Sequence, residues 1–388
     1  FTANMSAQFQ EEMSNYLLPF EKIQRLELLG SGQYGDVYLG RYAGSLVAVK
    51  CSKHTTVEEL EYVEDEIRKM STMNHPNIVR FQGFTLEPPT EECPRHRPWI
   101  VLEYSTRGDL KQLLTKEGIA PDAKKVLTSS TRMRMALDIA RGMSWIHAKD
   151  LIHRDLKLDN LLVGKGNQLL ICDFGLSVWT QEGNNAIAGS LTFMAPEVML
   201  KRGATEKSDV YSFAIILWCL VTLQTRAHPA YIKTREQLAK FVCSGQRMDI
   251  PPVPDCVAKL IRDCWAPNPE DRPTFEQIVE IFEDVIIPII EDLEVDANIR
   301  ASIPNDPHGQ TFWAENYKKK TTAQLNDFIE SVMNSFDPIH LSDNPTPEEL
   351  ATATEYQLEE FLSRAVAHKN IVFAERQRRN KSGGYSLT

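Results

Sequence analysis

Residues 153–163 read HRDLKLDNLLV, a polar segment that runs directly into three apolar residues. Asp155, Lys157 and Asn160 cannot share one hydrophobic face, so the pattern predicts a polar loop that ends in a short buried strand. A carboxylate at Asp155 can orient a hydroxyl nucleophile and accept its proton, and Lys157 can offset charge on a moving phosphoryl group. The Asn160 amide oxygen can hold a metal ion. The segment therefore favours phosphoryl transfer, which depends on positioning and charge stabilisation.

The spacing of this segment resembles the catalytic loop of protein kinases, H-R-D-x-x-x-x-N. The resemblance implies that Asp155 and Lys157 are catalytic and that Asn160 binds a metal ion. Because a lone Asp in a loop is more often a turn or cap residue, the interpretation depends on further motifs in the same order. One of these is the D-F-G triplet that begins at Asp173, which implies a carboxylate ligand for Mg²⁺ or Mn²⁺.

A glycine-rich segment near the N-terminus has the spacing G-x-G-x-x-G-x-V, formed by Gly30, Gly32, Gly35 and Val37. Glycine lets the backbone approach phosphate oxygens closely and present its N–H groups. The same spacing occurs in dinucleotide-binding folds, where a helix follows, and glycines also occur in plain hairpins. Here both flanks have the composition of strands, which favours the phosphate-covering hairpin of protein kinases.

The strand V-A-V-K that ends at Lys50 resembles the kinase strand V-A-I-K. The resemblance implies that Lys50 reaches the α- and β-phosphates of ATP and pairs with an acidic residue of the following helix. The family register selects Glu66 for that pair, with Glu64 and Glu61 as neighbouring alternatives. The competing interpretation is a solvated helix face, which must apply to most of these acidic residues.

The resemblance also implies an adenine site between the two lobes. Leu102 occupies the gatekeeper position, and the backbone of the hinge, Glu103 to Ser105, would bind the base. Val37, Ala48 and Leu162 would enclose the adenine ring from both sides. With the phosphate and metal residues, these positions predict ATP and Mg²⁺ (or Mn²⁺) as the cofactors.

Residues 177–194 form the implied activation segment, which contains no Tyr. Its hydroxyl side chains are candidate phosphorylation sites: Ser177, Thr180, Ser190 and Thr192. Ser190 matches a position that usually contacts the catalytic Asp, so we expect it to be the least regulatory of the four. We expect a phosphate on Thr180 or Thr192 to order the loop by pairing with Arg154.

Later motifs extend the resemblance over roughly residues 20–285. An A-P-E triplet and a C-W-x-x-x-P-x-x-R-P segment imply a structural pair between Glu197 and Arg272. Lys157, two residues after Asp155, is typical of Ser/Thr-specific kinases, whereas D-V-Y-S-F at residues 209–213 is typical of tyrosine kinases and their Ser/Thr-specific relatives. The combination resembles the tyrosine-kinase-like group and favours transfer to Ser or Thr.

Composition limits the remaining classes of function. A formal net charge of −10 argues against nucleic acid or anionic membrane as the main partner. Seven cysteines without a C-x-x-C motif indicate neither a disulfide framework nor a zinc site, which favours a reducing cytoplasmic setting. The longest apolar run, residues 210–221, is too short to span a bilayer and predicts a buried helix. Phe1 is not an initiator Met, so we expect the chain to be a fragment of a longer protein.

The predicted organisation has six parts: an N-terminal extension 1–20, a small lobe 21–105, a large lobe 106–288, a linker 289–310, a helical extension 311–375 and a flexible basic tail 376–388. Apolar stripes at helical spacing predict two helices in the extension. The loop between them lacks calcium ligands, because Ile339 and Leu341 stand at ligand positions and Ser342 stands where an EF-hand needs Gly. The extension faintly resembles the helical connector before SH2 domains in amoebal kinases, although no SH2 pattern follows.

The fold class predicted from these motifs is α+β: a two-lobed protein kinase fold, with a small β-rich lobe and a large helical lobe, followed by an all-α, EF-hand-like extension. The predicted activity is phosphorylation of Ser and Thr in protein substrates during signalling. Dual-specificity or tyrosine phosphorylation is the first alternative. A pseudokinase scaffold, or an adaptor whose helical extension docks partners, is the second. No transmembrane segment and no nucleic-acid partner are expected.

Overall fold

Strand-forming residues on both sides of the glycine segment build an antiparallel sheet in the first part of the chain. The computed structural model describes residues 6–32, 35–53, 57–90, 96–119, 127–180 and 188–302. Within them the sheet has the strand order β1-β2-β3-β5-β4, with β1 Ile23–Ser31, β2 Gly35–Tyr42, β3 Ser45–Ser52, β4 Phe81–Glu87 and β5 Arg97–Glu103.

Alternation along β3 separates the core of the small lobe from its cleft face. Val47 and Val49 are fully buried and pack with Val101 of β5. The residues between and after them, Ala48 and Lys50, are half-buried and point to the other face, because side chains alternate along a strand. The register of β3 therefore presents Lys50 to the cleft.

Helix α2, Val57–Thr72, is amphipathic and packs beside this sheet. Its buried apolar residues recur at the spacing of one helix face: Leu60, Val63, Ile67 and Met70. A shorter helix, α1 Ala7–Glu12, precedes the sheet, so the N-terminal extension predicted over residues 1–20 contains regular structure.

The large lobe is helical. Helix α4, Ser129–His147, is capped by Thr128, whose hydroxyl accepts from the N–H of Thr131. Helix α6, Glu206–Thr222, is buried on all sides from Ser208 to Leu220, which confirms that residues 210–221 form a core helix. Around them lie the remaining helices: α3 Leu110–Ile119, α5 Pro196–Met199, α7 Arg235–Cys243, α8 Asp255–Cys264, α9 Phe275–Ile281 and α10 Ile287–Ser302.

Two short strand pairs hold the loops at the mouth of the large lobe. Strand β6, Leu151–Ile152, pairs with β9, Val178–Trp179. Strand β7, Leu161–Val163, pairs with β8, Leu169–Ile171. The polar segment 153–160 therefore lies between β6 and β7, as predicted, and Asp173 follows directly after the end of β8 and Cys172. Of the helices in the described ranges, none combines the length and apolarity needed to cross a bilayer.

The predicted linker over residues 289–310 needs a correction. Residues 287–302 are helical, and Glu294 accepts from the backbone N–H and hydroxyl of Ser130 at 2.8 and 2.7 Å. Ile290 is also buried against the large lobe. The prediction rested on the polar composition after residue 295 and missed these contacts. The predicted helical extension 311–375 and basic tail 376–388 lie outside the described residues, in a second unit that begins at Ile303.

A buried ion pair closes the large lobe, as the sequence predicted. The guanidinium of Arg272, fully excluded from solvent, donates to both carboxylate oxygens of Glu197 at 2.7 and 2.9 Å. The same guanidinium also donates to the backbone carbonyls of Ala266 and Lys207 at 2.9 and 2.8 Å. The pair thus joins α5 to the loop before α9.

We predict that Glu197→Gln lowers the free energy of unfolding by about 3 kcal/mol, because it leaves a buried guanidinium without its counter-charge. Urea denaturation of the full chain measures this loss. The matched control is Glu291→Gln, which removes the charge from an exposed pair with Arg134 and should change stability by less than about 1 kcal/mol. Equal losses in the two variants would contradict the assignment of Glu197 as a buried anchor.

Candidate functional site

Three charged side chains meet in the cleft between the lobes. The Lys50 ammonium lies 2.6 Å from Glu66 Oε1 and 3.0 Å from Asp173 Oδ1. Burial by itself would lower the pKa of Lys50, but the two carboxylates outweigh it and raise the pKa above its ordinary value. Burial is the largest single effect on Asp173 and by itself would raise its pKa. The charge and hydrogen bond of Lys50, with the nearby His153 and Lys157, together outweigh burial and lower the pKa, so this carboxylate is held ionised. The cluster joins β3, α2 and the segment after β8.

The rotation of α2 distinguishes the three acidic candidates. Glu66 faces Lys50, whereas Glu61 is exposed. Glu64 is buried but accepts hydrogen bonds from Ser6, on another side of the helix. Residues two apart on an α-helix are about 200° apart around its axis, so Glu64 and Glu66 cannot contact the same partner.

The loop from His153 to Asn160 is a network centred on the carboxylate of Asp155. Lys157 Nζ donates to Asp155 Oδ2 at 2.5 Å, and Asn160 Nδ2 donates to the same oxygen at 3.1 Å and to the Asp155 carbonyl at 2.9 Å. The backbone N–H of Ser190 donates to Asp155 Oδ1 at 2.9 Å. Because Asn160 donates through its nitrogen, its amide oxygen is the atom that can accept a cation.

Asp209 of α6 holds the start of this loop by hydrogen bonds to its backbone. Its carboxylate, 1 % exposed, accepts from the backbone N–H groups of His153 and Arg154 at 2.8 and 2.9 Å. Arg154 has φ +68° and Asp173 has φ +67°, a left-handed conformation that costs a non-glycine residue about 1 kcal/mol or more. The sequence interpretation gave Asp209 no role; a carboxylate directly before the apolar run 210–221 was the available signal.

The candidate metal ligands have suitable chemistry. Asp173 provides a carboxylate whose side chain is 39 % exposed, and Asn160 provides an amide oxygen. Both are hard oxygen ligands of the kind that Mg²⁺ and Mn²⁺ prefer. Within the described ranges, no group of three His, Cys, Asp or Glu side chains is arranged to hold a metal ion. A cation at this site would therefore need phosphate oxygens or water to complete its coordination shell.

The three apolar side chains predicted to enclose a base and the gatekeeper Leu102 are half-buried. Ala48 pairs with Leu102 in the sheet, and Val37 pairs with Lys50. Leu162 forms an isolated bridge with Asp109, just after the hinge. Hydrogen bonds fix both ends of the hinge. The Glu103 carboxylate accepts from the Arg80 N–H at 2.7 Å, and the Glu103 N–H donates to the Arg80 carbonyl at 3.0 Å. At the other end, the Ser105 hydroxyl donates to the Val163 carbonyl.

Gly32 and Gly35 are joined at the end of the β1–β2 pair. The Gly32 N–H donates to the Gly35 carbonyl at 2.9 Å, and Gly30 pairs with Val37. A side chain at Gly35 would lie 2.6 Å from the Cys51 carbonyl, which explains glycine there, whereas Gly30 has open space around it. Lys53, which the sequence interpretation missed, pairs with Asp36 at 2.7 Å and donates to Ser31 and the Gly32 carbonyl.

The four candidate phosphorylation sites differ in exposure. Thr180 is exposed, and Ser190 and Thr192 are half-buried. Ser177 is 2 % exposed, and its hydroxyl donates to the Phe174 carbonyl at 2.5 Å, so this conformation shields it from any second active site. The buried ammonium of Lys69, three residues after Glu66 on α2, donates to the Ser177 carbonyl and anchors this part of the segment.

Comparison with known proteins extends the resemblance to protein kinases that the motifs indicate. The sequence model of the protein tyrosine and serine/threonine kinase family matches residues 23–282. Dual specificity protein kinase shkA of Dictyostelium discoideum is 36 % identical over 337 residues, 83 % of this chain and 58 % of the relative. Serine/threonine-protein kinase CTR1 of Arabidopsis thaliana is 36 % identical over 280 residues, 69 % of this chain and 32 % of the relative.

A third relative, probable serine/threonine-protein kinase drkD of Dictyostelium discoideum, is 36 % identical over 283 residues. That match covers 71 % of this chain but 21 % of the relative, so the chain spans only part of the length of the curated relatives it matches. The family match covers both lobes and every residue of the cleft described above. These matches confirm the predicted resemblance to protein kinases: the chain belongs to the protein tyrosine and serine/threonine kinase family.

Proposed function

We propose that this chain is an active protein kinase that transfers the γ-phosphoryl group of ATP to Ser and Thr hydroxyls of protein substrates. One observation carries the proposal. Lys50, Glu66 and Asp173 form an ionic cluster that joins the two lobes across the cleft, and the Asp155 network lies in the large lobe. A scaffold without catalytic activity would not need all these charged groups to be retained in contact.

Each side chain has a specific part in the proposed reaction. Asp155 orients the substrate hydroxyl and accepts its proton, while Lys157 offsets charge on the phosphoryl group in transit. Lys50, held by Glu66, binds the α- and β-phosphates. Asp173 and Asn160 would hold Mg²⁺ or Mn²⁺, which neutralises phosphate charge when bound. The half-buried apolar residues of the cleft would receive adenine, with Glu103 and Ser105 at the hinge.

Two features support Ser/Thr specificity. Lys157 lies against Asp155, which leaves a positive charge close to a short hydroxyl nucleophile. The names of several relatives state serine/threonine specificity, whereas shkA and shkC are named dual specificity kinases, so tyrosine phosphorylation is the second candidate activity.

A cytoplasmic location is also proposed: the described cysteines form no disulfide, which fits a reducing compartment. Partner docking on residues 311–375 stays a prediction.

The substrate side of the cleft depends on a close backbone contact. Gly189 has φ +100°, and a Cβ there would lie 2.5 Å from the Arg154 carbonyl and 3.3 Å from Asp155 Oδ1. Glycine thus lets the Ser190 N–H reach the Asp155 carboxylate at 2.9 Å. We infer that this contact aligns the substrate-binding end of the activation segment with the catalytic Asp.

The activity itself is tested by incubating the full chain with radiolabelled Mg-ATP and a peptide library, followed by phosphoamino-acid analysis. We expect phosphoserine and phosphothreonine on added substrates, because Lys157 accompanies a short nucleophile. Mass spectrometry should place autophosphorylation in the activation segment on Thr180 or Thr192 before Ser190, and not on buried Ser177. Phosphotyrosine as the main product would contradict the Ser/Thr assignment, and no transfer with any substrate would contradict the kinase proposal.

We predict that Asp173→Asn lowers the transfer rate by on the order of a hundredfold or more, because it removes the metal-binding charge without changing side-chain volume. Steady-state kinetics and the melting temperature are measured together. Asp159→Asn is the matched control: Asp159 lies in the 153–160 loop, but its side chain is in an exposed pair with Lys111 and should not affect transfer. Normal turnover by a folded Asp173→Asn variant would exclude Asp173 as a metal ligand.

We predict that Gly189→Ala lowers kcat by on the order of tenfold or more, because the new methyl group forces Ser190 away from Asp155. ATP affinity should stay unchanged, since Gly189 lies on the substrate side. The control is Gly245→Ala, which imposes a similar backbone strain at φ +83° but meets open space. If both variants lost the same activity, strain alone would be the cause and the contact would have no special role.

A further inference from the structure

A segment that precedes the family match is packed onto the small lobe. Residues 6–18, called here the N-terminal clamp, come before the first matched residue, Ile23. Phe9 of α1 is completely buried, and its ring meets Phe84 of β4 edge-on at 5.4 Å between centroids. The guanidinium of Arg68, on α2, lies over the Phe9 ring, 5.0 Å from the ring centroid. One aromatic side chain therefore bridges α2 and β4.

Ser6 provides a polar contact between the clamp and α2. The Ser6 N–H donates to Glu64 Oε1 at 2.8 Å, and its hydroxyl donates to Oε2 at 2.9 Å. The same hydroxyl accepts from the Phe9 N–H at 3.2 Å and so caps α1. Glu64 is only 4 % exposed, and a buried carboxylate is stable only when its oxygens are hydrogen-bonded. The clamp therefore satisfies, together with the Arg68 guanidinium 3.8 Å from Glu64 Oε2, a charge that the helix buries.

The far end of the clamp is attached to the sheet. The Leu18 N–H donates to the Phe84 carbonyl at 2.7 Å, and the Thr85 hydroxyl donates to the Leu18 carbonyl at 2.8 Å. Gly83 leaves room for this approach, because a Cβ there would lie 2.5 Å from the Tyr16 carbonyl. The clamp is thus held at α2 by one end and at β4 by the other, and it limits movement of the helix relative to the sheet.

This arrangement acts on the catalytic ion pair through the helix. Glu64 and Glu66 lie about 200° apart around the axis of α2, so the clamp holds one side of the helix while the other presents Glu66 to Lys50. Any rotation or outward shift of α2 that broke the Lys50–Glu66 contact would also pull Glu64 from Ser6 and Phe9 from its site.

We propose that the N-terminal clamp is a positioning element that holds α2 in the orientation in which Glu66 pairs with Lys50, and that Ser6 is its charge-sensitive point. The inference rests on the proposed kinase activity. Added negative charge at Ser6 would face the buried Glu64 carboxylate at hydrogen-bond distance, and like charges at that distance repel strongly. A helix N-terminus usually favours an acidic group, and Arg68 lies 3.8 Å from Glu64 Oε2. The repulsion between the two carboxylates acts at the shorter distance of 2.9 Å and releases the clamp.

The test uses four variants of the full chain: Phe9→Ala, Phe9→Leu, Ser6→Glu and, as a matched control on the exposed side of α1, Glu11→Ala. We expect Phe9→Ala and Ser6→Glu to lower the transfer rate by on the order of tenfold. In these variants a larger fraction of the molecules has α2 in a position in which Glu66 does not pair with Lys50. Phe9→Leu should restore most of that loss, and Glu11→Ala should match wild type. Unchanged rates in Phe9→Ala and Ser6→Glu would overturn the proposal.

A double-mutant cycle separates positioning from general destabilisation. If the clamp acts through Glu66, then Phe9→Ala should cause no further loss of rate in a Glu66→Gln background. Losses that multiply would mean that Phe9 acts by another route and would overturn the proposal.

Hydrogen exchange gives a readout that does not depend on activity. Phe9→Ala should speed the exchange of amides in α2, residues 57–72, and leave α6, residues 206–222, unchanged. Equal acceleration in both helices, or none in α2, would refute the clamp. If the wild-type chain transferred no phosphate at all, the proposed function would fail, while this measurement would still decide whether the clamp positions α2.

Discussion

The small and large lobes are linked at the Lys50 ammonium, a charge placed in a cleft with little access to water. Such a charge is costly to bury unless counter-charges reach it directly, and here Glu66 and Asp173 do so at 2.6 and 3.0 Å. The three groups come from a strand, a helix and the loop after β8. Their mutual need for compensation means that none of these three elements can shift without leaving a charge unpaired.

In the large lobe, α6 fixes the position of the loop that carries Asp155. This helix is buried from Ser208 to Leu220, so its position is set by packing. Asp209, in its first turn, accepts hydrogen bonds from the backbone of His153 and Arg154 and so fixes these two residues relative to the helix. The hydrogen bonds offset the strain of the left-handed conformation at Arg154. On this loop the Asp155 carboxylate is held by Lys157, Asn160 and the Ser190 N–H.

In the small lobe, the position of α2 is fixed by several separate contacts. Helix α2 is held by the apolar stripe on one face, by Lys69 toward the activation segment and by residues 6–18 on the side that carries Glu64. Each contact joins α2 to a different part of the chain. The position of Glu66 therefore reflects several weak anchors, which is the physical situation in which regulation by small changes of charge or packing is effective.

The sequence by itself determined the family and the two-lobed fold, because residues such as Asp155, Asn160 and Asp173 occur at spacings that are short and local. It singled out the charged residues that the cleft brings together. It also predicted the core helix α6 and the Glu197–Arg272 pair. The family register already selected Glu66 as the partner of Lys50, and the structure places the two groups in contact. Only the tertiary structure decided that Glu64 meets Ser6, that Ser177 is buried, and that residues 289–302 are helical and not a linker. These outcomes depend on contacts between segments far apart in the chain, and periodicity within one segment contains no information about which distant group will satisfy it.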